Sequence, residues 1–400
     1  MWKPVDFLVV GGGVIGLNLA LGLRRRFAGA RIRLLEKEAT WGWHASGRNS
    51  GVLHAGFYYG ADSLKARFCR DGNRELQEYC RERHLPLDRC GKLVVARSAS
   101  DWPALEILRQ RGQENGVRLE EVNEEEARRL EPRAKTVGKA LFSPDTATID
   151  AMALLHALVG EARQAGIELL PGVAWLGGRG QSTLTSAGRM GCGYLVNCAG
   201  LHADRIAWAY GFGANLAILP FKGLYLYGDA RAGPLSRHVY PVPDLDYPFL
   251  GVHCTRTVDG RIKLGPTAIP AFWREHYQGW SRFSPAEALE VSGRMAGLWW
   301  RNDFAFRRLA RQEMGKWSRR TLTGLAGELV GGIEAGAFTT WGRPGLRAQL
   351  VDVGQKRLEM DFRWEGDDRS FHVLNAVSPG LTCSMPFARY LVDRINGLLS

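Results

Sequence analysis

The sequence predicts an α/β protein of two interleaved domains, and three features of its pattern lead to this fold class. An apolar run at residues 5–10 leads into a glycine cluster, helical spacing follows, and a second apolar run over residues 31–35 ends at Glu36. Another apolar run at residues 194–198 is expected where the chain returns to the same parallel sheet. Residues 218–266 instead contain short alternating stretches separated by Pro, Gly and Asp, which predicts an antiparallel sheet in a second domain.

The glycine cluster has the spacing of a dinucleotide-binding turn. Gly11 allows a tight turn between strand and helix, Gly13 lets the backbone approach a pyrophosphate, and Gly16 lets the helix pack closely on the strand. The free N–H groups of a helix that begins near Val14 would hold the pyrophosphate. Glu36 follows at the end of the second strand, where its carboxylate can accept hydrogen bonds from the hydroxyls of an adenosine ribose.

Composition limits the other classes of function. The 400 residues are 45% hydrophobic, which is enough for two domain cores. Lys and Arg number 53 against 41 Asp and Glu, but the basic residues are scattered among acidic ones. We therefore expect no nucleic-acid partner, whereas a small anionic substrate and an anionic membrane surface are compatible with this charge. Seven cysteines without a CxxC pair predict reduced thiols in a cytoplasmic protein and no metal site.

The remaining elements follow from periodicity and from turn residues. We predict helices at residues 63–84, 102–116, 150–165 and within 284–332, with Asp150 as a helix N-cap. Strands are predicted at residues 91–97, 167–170, 219–227, 238–241, 249–257 and 261–264, and residues 371–399 contain a strand, a turn and a final helix. Residues 41–60 form a predicted long loop, and loops of this length within a compact domain are usually functional.

The order of these elements indicates which dinucleotide is bound. The strand at residues 194–198 and the C-terminal turn return to the N-terminal unit, so the dinucleotide-binding domain is assembled from separated segments. Nicotinamide enzymes commonly keep this domain as one continuous block, and the interleaved order therefore favours FAD. We predict a Rossmann-like FAD-binding domain from residues 1–84, 150–210 and 343–400, and an α+β substrate domain from residues 85–149 and 211–342.

Longer blocks of the sequence resemble one family of flavoproteins. Residues 44–59, His-Ala-Ser-Gly-Arg-Asn-Ser-Gly-Val-Leu-His-Ala-Gly-Phe-Tyr-Tyr, and Ser-Leu-Lys-Ala-Arg at 63–67 are similar to the FAD-dependent L-2-hydroxyglutarate dehydrogenases and oxidases, within the larger D-amino-acid-oxidase-like group. The likeness continues through residues 91–96, 221–223, 240–243, 249–253, 265–266, 345–349, 361–362, 372–375 and 378–379. The resemblance implies oxidation of an L-2-hydroxy dicarboxylic acid to its 2-oxo acid, with hydride passed to the flavin and electrons then passed to a quinone or to oxygen.

The predicted FAD-binding residues come from the glycine turn, the long loop, two later strand ends and the C-terminal turn. They are Gly11, Gly13, Val14, Ile15, Gly16, Glu36, Lys37, His44, Ser46, Arg48, Asn49, Ser50, Gly51, Val173, Ala199, Gly200, Pro379, Gly380, Leu381 and Thr382. His44 has two interpretations. Residues 43–47 look like the stretch through which dimethylglycine-dehydrogenase relatives attach FAD covalently, and the alternative is a loop histidine that contacts the flavin without a covalent bond.

Two histidines are candidates for the catalytic base. Oxidation of a secondary alcohol requires removal of the hydroxyl proton as hydride leaves the carbon, so a base must lie near the flavin ring. Histidine suits this role because its unperturbed pKa lies near neutrality. His54 is the first candidate because it follows the Asn-Ser-Gly turn in the loop expected against the flavin, and His253 is the second. For each, a histidine that only packs in the core is the alternative.

Three further residues are candidates for substrate binding. A 2-hydroxy acid carries a carboxylate beside the reacting carbon, and a planar guanidinium can hold it in a fixed orientation. Arg347, in Gly-Leu-Arg-Ala-Gln, is predicted to do so. Lys222 is a candidate for a distal carboxylate, with an ion-paired surface lysine as the alternative, and Tyr240 is predicted to line the same pocket.

The sequence is also compatible with two other functions and with a membrane contact. The same scaffold serves amine and amino-acid oxidases, and a non-catalytic flavin-binding module is a third possibility. Residues 272–320 alternate aromatic and basic side chains, among them Trp273, Trp280, Trp299, Trp300, Phe304, Arg307, Arg308 and Trp317. Such a segment can lie peripherally on the inner face of an anionic membrane, although most such stretches are helices whose aromatic face belongs to the core.

Overall fold

The computed structural model describes residues 2–245 and 250–400, and this part of the chain contains ten helices. They are α1 (Val14–Arg26), α2 (Leu64–Glu82), α3 (Trp102–Glu114), α4 (Glu124–Leu130), α5 (Ala151–Gln164), α6 (Ala203–Ala209), α7 (Pro285–Arg301), α8 (Phe306–Met314), α9 (Arg319–Leu329) and α10 (Ser384–Leu399). The predicted helical segment 284–332 therefore divides into three helices.

The strands of the described residues form four sheets. They are β1 (Val5–Val10), β2 (Ile32–Glu36), β3 (Val52–Leu53), β4 (Leu87–Asp88), β5 (Lys92–Val95), β6 (Glu120–Asn123), β7 (Lys139–Ser143), β8 (Ala147–Ile149), β9 (Glu168–Pro171), β10 (Trp175–Arg179), β11 (Ser182–Thr185), β12 (Gly188–Asn197), β13 (Leu216–Gly223), β14 (Leu226–Tyr227), β15 (His238–Pro241), β16 (His253–Arg256), β17 (Ile262–Gly265), β18 (Ile269–Pro270), β19 (Thr340–Trp341), β20 (Gly345–Asp352), β21 (Arg357–Leu358), β22 (Arg363–Gly366) and β23 (Ser370–Asn375).

Side-chain caps fix the starts of two predicted helices. Ser63 Oγ accepts the N–H of Ala66 at 3.1 Å where α2 begins. Asp150 Oδ1 accepts the N–H of Met152 at 2.8 Å where α5 begins. Each oxygen satisfies a backbone donor that has no partner within its helix, and both predicted helix starts are confirmed.

The parallel sheet places the glycine turn at a shared edge. Strands β9, β2, β1, β12 and β23 are parallel neighbours in that order, and β22 pairs antiparallel with β23. Val10 is level with Leu35 on one side and with Asn197 on the other, so β1, β2 and β12 end together. One face of the sheet packs on α1, α5 and α10, and the other packs on α6. Ligands of such sheets bind at this carboxyl edge.

The other two large sheets are mainly antiparallel, as predicted. The second sheet has the order β19-β14-β17-β16-β15-β5-β7-β6 and is antiparallel except for the parallel pair of β15 and β5. The third sheet, β18-β13-β20-β21, is antiparallel throughout. Lys92, Tyr240 and His253 lie on the adjacent strands β5, β15 and β16, whereas Arg347 lies on β20.

The structure corrects two predicted strands. Residues 219–227 are not one strand, because β13 ends at Gly223 and β14 joins a different sheet. Between them the Leu224 N–H donates to Thr267 Oγ1 at 3.0 Å instead of to a neighbouring strand, so the chain can leave the third sheet. Residues 249–257 contain the shorter strand β16, and Phe249 lies outside the described residues.

The domain division remains a prediction. The parallel sheet takes its strands from segments assigned to the FAD-binding domain. Strand β20, however, follows the predicted boundary at residue 343 and pairs along its whole length with β13 of the predicted substrate domain. The two predicted domains therefore share a sheet.

Two further findings concern membrane-spanning helices and thiols. Within residues 2–245 and 250–400, no helix has both the length and the apolar character needed to cross a bilayer. All seven cysteines are free thiols, as predicted, and Cys198 alone among them is partly exposed.

Candidate functional site

A cavity of about 910 Å³ extends from the glycine turn to the second and third sheets. This volume is near the upper end of ordinary small-molecule pockets, about 300–1,000 Å³. All the predicted cofactor residues except Gly51 line it. Gly51 lies behind the wall, where its carbonyl accepts the Ile149 N–H at 2.8 Å. His54, His253 and Arg347 line the cavity, whereas Lys222 and Tyr240 do not.

The glycine turn leaves no space for side chains. Gly11 has a φ of +112°, and a Cβ atom there would lie 2.3 Å from the carbonyl oxygen of Cys198. A Cβ atom on Gly16 would lie 2.0 Å from the carbonyl oxygen of Gly11. The close approach of β1, α1 and the end of β12 therefore requires glycine at both positions.

The start of α1 contacts the long loop. The Val14 N–H donates to Ser46 Oγ at 2.9 Å, and a Cβ atom on Gly13 would lie 3.0 Å from the same hydroxyl. The first N–H groups of a helix have no partner within it, and apart from the Val14 N–H, which Ser46 accepts, they can donate to phosphate oxygens. Gly13 thus keeps open the space between the helix start and the loop.

Glu36 is held in a fixed position at the end of β2. Its Oε2 accepts the Gly12 N–H at 3.0 Å, and its Oε1 accepts the Glu38 N–H at 2.9 Å. Glu36 lines the same end of the cavity as the glycine turn, so these two hydrogen bonds orient its carboxylate beside the predicted ribose site.

A network of ion pairs surrounds this end of the cavity. Lys37 contacts Glu38 and lies 2.6 Å from Glu275, and Arg282 donates to both carboxylates. His202 Nε2 lies 3.0 Å from Glu275. The Arg282 hydrogen bond holds the pKa of Glu38 far below its usual value. The protein therefore neutralises its own charges here.

His44 is engaged at both ring nitrogens. Nε2 donates to Glu38 at 2.9 Å, and Nδ1 pairs with the Tyr277 hydroxyl at 2.6 Å. Glu38, His44 and Glu275 are close enough together to hold a metal ion, but Lys37 and Arg282 already supply positive charge to these carboxylates. The covalent-attachment interpretation of His44 stays a prediction.

Arg48 organises the long loop between two aromatic rings. Its guanidinium lies 5.0 Å from the Trp43 ring and 4.4 Å from the Tyr277 ring, and it donates to the Pro344 carbonyl at 3.1 Å. Stacking of this kind is favourable for a guanidinium. The loop is thereby fastened to the start of β20.

The C-terminal turn meets the loop at the start of α10. The His54 N–H donates to Thr382 Oγ1 at 3.2 Å. A Cβ atom on Gly380 would lie 2.4 Å from the Ala376 carbonyl oxygen, so this turn also requires glycine. These contacts bring His54 next to the predicted residues 379–382.

His54 has no hydrogen bond from its imidazole within the described part of the chain. Its Nδ1 is buried without a partner, and its ring lies edge-on to Tyr240 at 6.5 Å. Burial lowers the pKa of His54 well below its usual value, and the charges of Lys92, His253 and His238 lower it further. The imidazole is therefore neutral around pH 7.

His253 is oriented by a hydrogen bond and by stacking. Its Nδ1 donates to the Gly251 carbonyl at 2.8 Å, so Nε2 of the neutral ring is an acceptor. The ring stacks on Tyr240 with 3.7 Å between centroids. Burial lowers the pKa of His253 to about 3. Tyr240 does not line the cavity as predicted, because it lies behind His253 in the second sheet.

Lys92 is a buried cation behind the cavity wall that sequence reasoning missed. Its side chain is fully buried, and Nζ has no hydrogen-bond partner in the described chain. Nζ lies 4.6, 4.4 and 4.9 Å from the rings of Phe57, Tyr58 and Tyr240. Burial lowers its pKa to about 7. A lysine within the predicted apolar strand at residues 91–97 was the available signal.

Arg347 and Lys222 lie in different surroundings although their strands are paired. Arg347 lies partly buried in the cavity wall, and its Nη1 donates to the Thr267 carbonyl at 3.2 Å. The Lys222 ammonium instead lies 5.5 Å from the Trp317 ring, outside the cavity lining, and burial lowers its pKa to about 8. The structure therefore brings Arg347 together with the histidines and leaves Lys222 apart.

The residues present fit FAD. The glycine turn leaves an open cradle beside the N-terminus of α1, Glu36 is oriented at the adenosine end, and the cavity continues far enough to reach the histidines. FAD would be held by the turn, by the loop at residues 44–50 and by the turn at residues 379–382.

Comparisons with known proteins agree with this site. The family model described as FAD dependent oxidoreductase (DAO) matches residues 6–394. L-2-hydroxyglutarate dehydrogenase of Escherichia coli K12 is 32% identical over 405 residues, covering 99% of this chain and 94% of that protein. The Indibacter alkaliphilus enzyme of that name is 34% identical over 399 residues (95% and 96%), and the human mitochondrial one is 32% identical over 429 residues (98% and 88%).

Solved structures share the fold. An FAD-bound L-alpha-glycerophosphate oxidase from Mycoplasma pneumoniae superimposes with a TM-score of 0.78 at 21% identity, covering 99% of this chain and 95% of that one. Glycine oxidase from Geobacillus kaustophilus gives a TM-score of 0.73 at 19% identity, covering 99% and 95%. The predicted α/β fold, the FAD cofactor and the family resemblance are confirmed. The chain belongs to the FAD dependent oxidoreductase family, together with relatives named L-2-hydroxyglutarate dehydrogenase.

Proposed function

We propose that this protein oxidises an L-2-hydroxy acid, with L-2-hydroxyglutarate as substrate and 2-oxoglutarate as product. The observation on which the proposal rests is the cavity wall beyond the cofactor site, where two histidines whose pKa values are lowered by burial lie with a partly buried arginine. A neutral imidazole can accept a hydroxyl proton, and a guanidinium can hold a carboxylate. The name of the relatives supports the choice of acid.

His54 is the proposed base. FAD, when bound, accepts the hydride that leaves the substrate carbon, and the protein takes the hydroxyl proton. No described residue hydrogen-bonds the His54 imidazole, so a substrate hydroxyl can donate to it. His253 is the second candidate, because its Nε2 is an acceptor of fixed orientation. Tyr240 then acts as a positioning residue that holds the His253 ring by stacking.

Arg347 is proposed to bind the carboxylate beside the reacting carbon. Its hydrogen bond to the Thr267 carbonyl orients the guanidinium. The bound carboxylate also adds negative charge near the histidines, which raises their pKa and stabilises the imidazolium that proton transfer creates. Binding of the acid thus makes each histidine a stronger base.

Anaerobic titration of the purified yellow protein tests this function. We expect L-2-hydroxyglutarate to bleach the visible flavin absorbance, while the D enantiomer and L-glutamate leave it unchanged. Bleaching by amines or amino acids alone would indicate the oxidase alternative. Bound FAD that no such compound bleaches would indicate a non-catalytic flavin-binding module.

The electron acceptor is proposed to be a quinone or oxygen. His54, His253 and Arg347 would bind the acid whichever acceptor is used, so measurements of flavin reoxidation must identify the acceptor. Turnover without air in the presence of a soluble quinone supports a quinone as acceptor. Formation of hydrogen peroxide in air supports oxygen as acceptor. A protein that is reduced by the acid but reoxidised by neither would contradict this part of the proposal.

A peripheral membrane contact of an otherwise cytoplasmic protein is proposed through α7. Leu289 and Trp300 are 79% and 82% exposed, and their spacing of eleven residues puts them on one face of the helix. Arg301 and Arg307 lie nearby in sequence, as suits anionic lipids. Trp273 is buried and does not belong to this surface. Co-sedimentation with anionic vesicles should be lost in the double variant Leu289→Glu, Trp300→Glu, and binding that is unchanged would contradict the contact.

A further inference from the structure

Lys65 is a buried cation in the cavity wall that the mechanism above does not use. It lies in the first turn of α2, is 8% exposed and lines the cavity. Its Nζ lies 6.0 Å from the Tyr59 ring and 5.8 Å from the Phe362 ring, and no described residue accepts a hydrogen bond from it. Burial lowers its pKa to about 8, so the ammonium is mostly charged at neutral pH.

The nearest carboxylate is already used by the backbone. Asp361 Oδ2 accepts the Leu64 N–H at 2.7 Å, and Oδ1 accepts the N–H groups of Lys65 at 3.1 Å and Phe362 at 2.8 Å. Asp361 therefore caps the start of α2, and in the described chain no ion pair joins it to the Lys65 ammonium. A buried ammonium without a direct anionic partner is costly, so the site favours an anion from outside the protein.

Lys65 and Arg347 both belong to the wall of the cavity. The Lys65 ammonium lies 6.0 Å from the Tyr59 ring. Tyr59, Lys65 and Arg347 line the cavity, as do His54 and His253. Burial raises the pKa of Tyr59, and the charge of Arg347 opposes that rise. Two separate cations thus face the same cavity as the histidines.

We propose that Lys65 binds the distal carboxylate of a dicarboxylic 2-hydroxy acid while Arg347 binds the carboxylate beside the reacting carbon. This inference rests on the proposed function and gives a physical reason for a preference for dicarboxylic acids over monocarboxylic ones. Two cations match two carboxylates, whereas a monocarboxylic acid leaves the Lys65 ammonium buried without a counter-charge. Lys222, the candidate that the sequence suggested, lies outside the cavity lining.

The test removes the charge from the enzyme and from the substrate in turn. Lys65→Met keeps the length of the side chain without its charge, and L-2-hydroxypentanoate keeps the carbon chain of L-2-hydroxyglutarate without the distal carboxylate. We expect Lys65→Met to raise KM for L-2-hydroxyglutarate by about 10- to 100-fold, as for the loss of a charged hydrogen bond. The kcat/KM for L-2-hydroxypentanoate should change by less than about 3-fold, and Lys65→Arg should restore most of the lost affinity.

A binding measurement separates this inference from the proposed function. Isothermal titration calorimetry measures the binding of glutarate to the FAD-loaded proteins. We expect glutarate to bind the wild type at least 10-fold more tightly than it binds Lys65→Met. Lys139→Met, which removes a lysine charge on β7, is the control and should bind glutarate like the wild type. That result supports the subsite even if L-2-hydroxyglutarate does not reduce the flavin. Equal losses for both hydroxy acids, unchanged glutarate binding, or the expected KM rise in Lys222→Met instead would each overturn the assignment.

Discussion

The two ends of the cavity differ in whether the protein itself neutralises the charged side chains there. At the cofactor end, Lys37 and Arg282 meet Glu38 and Glu275, so the protein neutralises its own charges. At the substrate end, no ion pair joins the Lys65 ammonium to a carboxylate in the described chain, and the buried Lys92 Nζ, which does not line the cavity, has no hydrogen-bond partner there. The first end is complete in the free protein, whereas the proposed diacid substrate would supply the counter-charge for Lys65 at the second.

The two ends also differ in the feature that determines which ligand each can hold. Backbone geometry dominates the cofactor end, where Gly11, Gly13 and Gly16 permit close approach and ion pairs fasten the surroundings. Desolvated positive charge dominates the substrate end, and it favours anionic ligands over neutral ones. Four substitutions probe this comparison, from the largest expected effect to the smallest.

Gly16→Ala should abolish FAD binding. The new Cβ would lie 2.0 Å from the Gly11 carbonyl oxygen, so β1 and α1 would have to separate at the pyrophosphate site. The ratio of flavin to protein absorbance after purification measures this. Gly29→Ala is the matched control, because a Cβ there meets no atom within 4 Å. A yellow Gly16→Ala protein would show that the cofactor end does not depend on this close packing.

His54→Gln should lower kcat by about 10²- to 10⁴-fold, the usual contribution of a general base. FAD content should not change, because the His54 backbone N–H that contacts Thr382 is retained. Stopped-flow measurement of anaerobic flavin reduction follows the affected step. His253→Gln is the comparison. If His253→Gln lowers kcat by a larger factor than His54→Gln does, His253 is the base.

Lys92→Met should stabilise the folded protein in a pH-dependent way. Burial lowers the pKa of Lys92 from 10.5 to about 7, so the unfolded chain binds more protons than the folded one between these values. Stability of the wild type therefore rises with pH across this window. The variant should gain up to about 4 kcal/mol at pH 7, falling to about 1 kcal/mol at pH 9.5.

Urea unfolding of both FAD-loaded proteins at the two pH values measures this gain. The loss of the contacts with three aromatic rings reduces it by roughly 1–2 kcal/mol without changing its pH trend. A gain that is the same at both pH values would show that Lys92 is not a desolvated cation.

Arg282→Gln should have the smallest effect. Its side chain is 35% exposed, and Lys37, His44 and His202 remain beside the two carboxylates when it is removed. We expect a loss of at most about 1 kcal/mol in the free energy of unfolding and little change in FAD affinity. Loss of bound FAD on dialysis would contradict the view that the cofactor end contains redundant ion pairs.

The cofactor end was largely predictable because its determinants are local. Gly11 and Gly16 act on neighbouring elements, and Asp150 and Ser63 cap the helices that they precede. The substrate end was predicted less well. His54 and Arg347 line the cavity as predicted, but Lys222 does not. The sequence did not predict a role for Lys65 or the burial of Lys92. A lysine in a sequence gives no indication of whether its charge will be solvated or buried.

The sequence by itself determined the dinucleotide turn, the cofactor class, the interleaved order of the elements and the family. These follow from short-range geometry, in which glycine spacing and strand ends constrain the backbone directly. Only the tertiary structure decided which cations face the cavity and which acids neutralise them. His253 and Arg347 lie on strands of different sheets, and His54 follows β3 in a distant part of the chain, so their common environment exists only after these parts have packed.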